Sequence, residues 1–214
     1  GLGDVYKRQH DLRTPLTSII GYLGWVRTRT DLDEETRNHY IDIAYQKALR
    51  LEQLTNELFG FVKLEHKEMQ LHLGKLDLVQ LMEQMLDEMT PSFVKNELQV
   101  EFLHAEHAIF LEADGELLAR LFGNLLNNAV KYGKEGKQIR VSMEKEGEYV
   151  VTRVINYGRI IPKQELDHIF QKFYRTEQSR SRDTGGTGLG LAIVQQIAEL
   201  HHGCLLYTTE AADE

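Results

Sequence analysis

The chain has 214 residues, with 25 Lys or Arg against 33 Asp or Glu, a formal net charge of −8 at pH 7. Hydrophobic residues make up 42% and charged residues 27%, a globular mix long enough to bury one large core or two small ones. The acidic balance argues against a broad grip on nucleic acid. The single cysteine, Cys204, cannot close an internal disulfide, no apolar run approaches the ~18 residues of a membrane-spanning helix, and the N-terminus shows no signal-peptide pattern.

The first seventy residues read as helix. Leu12, Leu16, Ile19, Leu23 and Val26 recur at three- and four-residue steps. Thr28–Glu35 then breaks the pattern, with Thr30-Asp31-Leu32-Asp33 offering N-cap side chains. A second helix is expected from about Glu34 to Lys67. Its apolar seam is Tyr40, Ala44, Leu51, Leu54, Leu58 and Phe61, interrupted by Lys47. Two long amphipathic helices make a hairpin with too little core of its own, so pairing with a second copy into a four-helix bundle is expected.

Composition changes near Gly74-Lys75, and the linker near Leu73-Gly74-Lys75 is the expected hinge between domains. Beyond it, helix and strand signals alternate. The expected elements are a helix over Leu78–Met89, strands over Gln99–Phe102 and Ala108–Leu111, a helix over Gly115–Tyr132 and strands over Gln138–Glu144 and Tyr149–Ile155. A polar, glycine-rich loop over Thr176–Gly190 then leads into a last helix from about Leu189 to His201. Lys145-Glu146-Gly147-Glu148 reads as a hairpin turn.

Three segments carry chemistry. On Gly115–Tyr132, Leu118, Leu121, Phe122, Leu125 and Ala129 form the core stripe, and Asn124, Asn128, Lys131 and Tyr132 form a neighbouring one. Amide oxygens are hard donors suited to Mg²⁺, Lys131 could neutralise a phosphate oxygen, and Tyr132 could lie against a base; a solvated helix face is the plain alternative. Gly185-Gly186-Thr187-Gly188-Leu189-Gly190 opens a helix, where glycines let amides approach a phosphate. It is neither a Walker loop nor a Rossmann fingerprint, because no Lys-Ser or Lys-Thr follows it and no strand precedes it. His10 heads His10-Asp11-Leu12-Arg13-Thr14-Pro15. An imidazole of pKa ~6.5 is mostly neutral at pH 7 and can act as a nucleophile. Asp11 could accept its ring proton, and Thr14 lies one turn along on the same face.

In order and spacing these segments resemble the sensor histidine kinases of two-component signalling. His10–Leu16 looks like the H-box, Asn124–Tyr132 the N-box, Phe170–Arg175 the F-box and Gly186–Leu191 the G2-box, over about residues 10–203. Asn156-Tyr157-Gly158 and Ser179-Arg-Ser-Arg182 look most like the kinases that respond to vancomycin-type antibiotics. The resemblance implies an α+β chain: a long helical hairpin, dimerising to a four-helix bundle, followed by an α/β sandwich of the histidine-kinase/Hsp90/gyrase ATPase type. It implies ATP and Mg²⁺ as cofactors, His10 as phosphoacceptor, Asp11 as base and Thr14 in the reverse, phosphatase activity. It implies that Asn128 ligates the metal and that Asn124, Lys131, Tyr132, Asn156, Gly158, Phe173, Tyr174, Arg175, Gly186, Thr187, Gly188, Leu189 and Gly190 line the ATP site. The implied partners are a second copy and a response-regulator receiver domain, with neither nucleic acid nor direct membrane contact in this stretch. The implied location is the cytoplasmic portion of a membrane-bound bacterial sensor.

Two departures accompany the resemblance. The G1-box usually reads Asp-x-Gly-x-Gly, whereas Asn156-Tyr157-Gly158-Arg159-Ile160 stands here, from which weakened ATP affinity is expected. Ile160 replaces a glycine and cannot easily take φ > 0. The ends, residues 1–9 and 204–214, resemble translated library-adapter tails. The expected division is therefore a non-native leader over 1–9, a dimerisation and phosphoacceptor hairpin over 10–72, an ATP-binding domain over 76–203 and a non-native tail over 204–214. The rival readings are a catalytically weak pseudokinase serving as a dimeric scaffold, and a zinc site from His104, His107, His201, His202 and Cys204, whose spacing matches no common zinc pattern.

Overall fold

The computed structural model describes residues 2–65, 70–158, 160–171, 174 and 188–207, with the side chains of residues 2–12 and of Glu65 left out of the description. The chain divides into two compact units, residues 1–63 and 64–214. No helix among the described residues is long and apolar enough to cross a membrane.

The first unit is built from α1 (Leu2–Thr28) and α2 (Glu34–Glu65), with Pro15 inside a continuous α1. Asp33 starts α2 by accepting the Thr36 backbone N–H at 2.8 Å and the Thr36 hydroxyl at 2.7 Å. Beside that turn the helices are joined by rings: Tyr40 stacks on Tyr22 with centroids 5.8 Å apart and meets the edge of Trp25 at 5.2 Å. The seam residues Tyr40, Leu51, Leu54 and Leu58 are partly buried and Ala44 is fully so. A second apolar stripe stays exposed: Leu16, Ile20 and Leu23 on α1, and Ile41, Tyr45 and Leu49 on α2.

The second unit layers helices against sheet. β1 (Gly74–Asp77) pairs antiparallel with β3 (Phe110–Ala113). A second sheet has the order β2 (Gln99–His104), β4 (Gln138–Glu146), β5 (Tyr149–Asn156), with β2 and β4 parallel and β4 and β5 antiparallel. The helices are α3 (Leu78–Lys95), α4 (Gly115–Tyr132), the one-turn α5 (Lys163–Leu166) and α6 (Gly190–Leu200). Ile139, Val141 and Met143 alternate along β4 onto the face that meets the helices. Met82 of α3, Leu126 of α4 and Ile193, Val194 and Ile197 of α6 are buried with them. The β4–β5 loop is Gly147-Glu148, with Gly147 at φ 64° as the first central residue, the position that a type II′ turn reserves for glycine.

Several boundaries differ from expectation for identifiable reasons. Gly74 and Lys75 are the first residues of β1 rather than a hinge, because their register on Ala113 and Glu112 ties them to β3. α3 runs past Pro91 to Lys95, since burial of Phe93 holds its last turn. β3 lies two residues later than Ala108–Leu111: the Ile109 N–H is bonded to the Asp77 carboxylate at 3.1 Å, and the Ile109 carbonyl accepts the Leu78 N–H. Ile109 thereby belongs to the start of α3, not to the ladder. Ile160 is 75% exposed and has no positive φ, so the anticipated backbone strain is absent.

Candidate functional site

α4 forms because Leu117, Leu118, Leu121, Phe122, Leu126, Ala129 and Val130 bury one broad face, and because Asp114 caps it. One Asp114 oxygen accepts the Leu117 N–H at 3.1 Å; the other accepts the His72 backbone N–H at 3.0 Å. The Asp114 N–H in turn donates to Nε2 of His201 at 3.0 Å, and Nδ1 of His201 lies 2.9 Å from the Ile197 carbonyl. That carbonyl can only accept, so the contact assigns the His201 proton to Nδ1 and leaves Nε2 as acceptor. Asp114, 5% exposed, thus binds the segment before β1, the first turn of α4 and the end of α6 at one point. Burial works against its charge, but the N–H groups of His72 and Leu117 outweigh it and hold its carboxyl below the ordinary carboxylate value.

Asp114 directly before an apolar-periodic helix is an N-cap signal in the sequence, but its link to His72 and His201 is set by distant partners. The junction engages His201, one of the residues of the zinc reading. His104 likewise turns Nδ1 to the Glu106 carbonyl at 2.9 Å, and no group of three or more His, Cys, Asp or Glu able to hold a metal ion occurs among the described residues.

The neighbouring face of α4 is polar. Asn124, Asn128 and Tyr132 follow one another at four-residue steps, spanning ~12 Å of helix axis at 1.5 Å per residue. At the N-terminal end of this run, Asn124 Oδ1 lies 3.5 Å from where a Cβ on Gly190 would sit, so the start of α6 adjoins it. At the other end, Lys131 places Nζ 5.0 Å from the centroid of the Tyr132 ring, which is 44% exposed. Asn156, the last residue of β5, is there too: a Cβ on Gly133 would lie 3.1 Å from its Cβ. The two backbones press together, since a Cβ on Gly158 would meet the Tyr132 carbonyl at 2.3 Å and one on Gly136 the Tyr157 carbonyl at 1.7 Å. Glycine at 136 and 158 is required for close approach, not for an unusual φ.

Among the described residues, the half-buried carboxamides of Asn124, Asn128 and Asn156 make no side-chain hydrogen bond, and none of their polar atoms is sealed from solvent without a partner. They form a row of hard oxygen and N–H groups that the fold itself does not use. α6 continues the pattern. Asp77 and Asp114 cap α3 and α4, whereas Leu189, the N-cap residue of α6, gives no side-chain cap. Leu189 is fully buried, and Gly188 before it takes φ 73°, a conformation open to glycine. Tyr174 is half-buried, its ring 5.5 Å from that of His168.

The structure thus places Asn124 beside Gly190, the Tyr132 carbonyl beside Gly158, Asn156 beside Gly133 and Lys131 near the Tyr132 ring. Phe173, Arg175, Gly186 and Thr187, and the side chains of His10 and Asp11, lie outside the described residues; Thr14 is exposed on α1.

Residues 9–67 match the His Kinase A (phospho-acceptor) domain, and residues 113–213 match the histidine kinase-, DNA gyrase B-, and HSP90-like ATPase family. Among curated relatives, the sensor protein VanS of Enterococcus faecium is 39% identical over 91% of this chain and 50% of its own length. VanSC of Enterococcus gallinarum is 35% identical over 96% and 56%. The sensor histidine kinase WalK of Bacillus subtilis is 30% identical over 91% and 32%. The chain therefore spans about half the length of the VanS relatives it matches. Histidine kinase ThkA, solved in complex with response regulator protein TrrA, superposes with a TM-score of 0.75 at 27% identity, over 94% of this chain and 56% of that one. The Acinetobacter baumannii histidine kinase AdeS shares the fold, with a TM-score of 0.74 at 20% identity over 95% and 92%. Two family patterns in series, and alignment with sensor kinases along 91% of its residues, show a phospho-acceptor domain followed by a histidine kinase-type ATPase domain, a sensor histidine kinase core resembling the VanS type.

Proposed function

We propose that this chain is a kinase core that transfers the γ-phosphoryl group of ATP to His10 and passes it on to an aspartate of a response-regulator receiver domain. The observation that carries the reading is the row of unused carboxamides at Asn124, Asn128 and Asn156, running from the glycine-opened start of α6 to the Tyr132 ring. In this reading Tyr132 lies against the base and Asn156 meets its polar edge, while the N–H groups opening α6, with Gly186, Thr187, Gly188, Leu189 and Gly190, face the phosphates. Asn128 holds Mg²⁺ through its amide oxygen, with Asn124 and Lys131 beside it; hard amide oxygens suit that ion, which supplies charge neutralisation on the phosphate oxygens when bound. Phe173, Tyr174 and Arg175 flank the site.

At the other end of the transfer, one His10 ring nitrogen attacks the γ-phosphorus. The N–P bond forms as the bond to the β-bridging oxygen breaks, and Asp11 takes the ring proton. Thr14, one turn on, serves the reverse reaction by positioning water. The exposed stripe of Leu16, Ile20, Leu23, Ile41, Tyr45 and Leu49 supports assembly as a homodimer through the hairpin. Similarity to sensor proteins about twice its length or more supports placing this stretch on the cytoplasmic side of a longer protein.

Incubation with labelled ATP and Mg²⁺ tests the proposal. An acid-labile, base-stable label that disappears in His10→Gln is the expected result. A chain that binds nucleotide but never takes up label, even when extended to full length, would instead be a dimeric scaffold, the reading that Asn156 in the G1 position favours.

A further inference from the structure

We infer that Asn156 makes the base-binding end of the site indifferent to the substituent at position 6 of a purine, so that the chain binds GTP about as well as ATP. The inference rests on the nucleotide reading given above and concerns only which base that site accepts.

Asn156 occupies an unusual place. Its ladder partner is Ile139, so its side chain belongs to the face of the sheet that forms the core. It is also the last residue of β5, where that core meets the C-terminal end of α4 at Gly133. A polar side chain on a core face normally finds a partner. Among the described residues this one makes no side-chain hydrogen bond, and it still reaches solvent. Its position is set instead by backbone contacts on both sides, because the approach of Gly158 to the Tyr132 carbonyl and of Gly136 to the Tyr157 carbonyl leaves the floor no slack. The rigid floor, the exposed Tyr132 ring and one uncommitted carboxamide describe a place where a flat ring lies on an aromatic face and has its edge read by a single side chain.

What that side chain can read follows from its chemistry. Adenine carries an amino group at position 6, a donor; guanine carries a carbonyl oxygen there, an acceptor. A carboxamide holds one acceptor and two donors on the same carbon and exchanges them by turning over about χ2, with no backbone movement. Asn156 can therefore accept from adenine or donate to guanine from one position. A carboxylate in its place could only accept, and it would set a negative charge against the guanine oxygen. At 156, the difference between Asn and Asp is the difference between a permissive and a selective site.

The test is competitive displacement of a fluorescent ATP analogue from the full chain by ATP and by GTP, with Asn156→Asp alongside and a thermal melt to confirm that the variant is folded. The expected result is dissociation constants for ATP and GTP within about tenfold of each other in the natural sequence. In Asn156→Asp, GTP should weaken by about tenfold or more and ATP should hold or tighten. GTP more than tenfold weaker than ATP in the natural sequence, or an unchanged ratio in a folded variant, overturns the inference and leaves the nucleotide reading standing. Failure of both nucleotides to bind overturns the two together.

Discussion

Asp114→Ala isolates the junction that holds the site helix in place. The substitution leaves two backbone donors without their acceptor, the N–H groups of Leu117 in α4 and of His72 before β1. Loss of an N-cap costs about 1 kcal/mol. A second orphaned donor costs about 1 kcal/mol more, at the low end of the usual range because the segment around His72 is open to water. The sum of about 2 kcal/mol corresponds to a fall in melting temperature of about 4–8 °C for a unit of this size. Asp114→Asn keeps one acceptor oxygen and should lose about half as much. The effect also has a sign in pH. The folded carboxyl sits below its ordinary value of about 3.9, so its stabilisation is complete above that pH and disappears as pH falls through the lower, folded value. The melting temperatures of the natural chain and Asp114→Asn should therefore converge in acid. Calorimetry across pH, with hydrogen exchange at the first-turn amides of α4, measures both. An Asp114→Ala melt within 1 °C of the natural chain would refute the reasoning.

Gly136→Ala places a Cβ 1.7 Å from the Tyr157 carbonyl, a backbone atom that cannot step aside, and should cost about 3 kcal/mol; Gly123→Ala, whose Cβ meets only Met85 Cε at 3.7 Å, should stabilise α4 by about 0.5–1 kcal/mol, and urea melts of the pair check both. Asn128→Ala removes a carboxamide the fold does not use. It should melt within about 0.5 kcal/mol of the natural chain while losing Mg²⁺-dependent nucleotide binding by titration calorimetry. Tyr45→Glu puts a charge in the exposed stripe of the hairpin, where Tyr45 is 59% accessible, and should convert a dimer to a monomer in light scattering while helicity by circular dichroism is retained.

Much of this architecture could be read before any coordinates. α4 has the bounds its periodicity gives, Gly115–Tyr132, because a two-stripe helix of eighteen residues leaves little room for error. Gly147 sits at positive φ in its turn for the same local reason. What stayed hidden was set by distant partners. The four residues of β1 carry no alternation long enough to notice and are strand only because β3 lies alongside. Ile109 looks like any strand residue until the Asp77 carboxylate claims its N–H from 32 positions away. At the site, the residue types of the Asn124–Tyr132 stripe were legible, but not that Asn156 would lie beside Gly133 with its amide unspent. Of the exposed stripe on the hairpin, the apolar recurrence marks Leu16 and Leu23, but not Ile20, Ile41, Tyr45 and Leu49.

The parallel pairing of β2 with β4 bears on how the chain comes together in time. Glu101 and Arg140 face each other across that pair although 39 positions separate them, and α4 must be threaded between the two strands before their ladder can close. Closing so long a loop is slow, whereas the turn at Asp33 joins residues three apart and the Tyr22–Tyr40 stack spans less than half the separation of Glu101 and Arg140. During synthesis the phosphoacceptor hairpin is thus expected to be in place while the sandwich is still searching, so a newly made chain can meet its twin before it can hold a nucleotide.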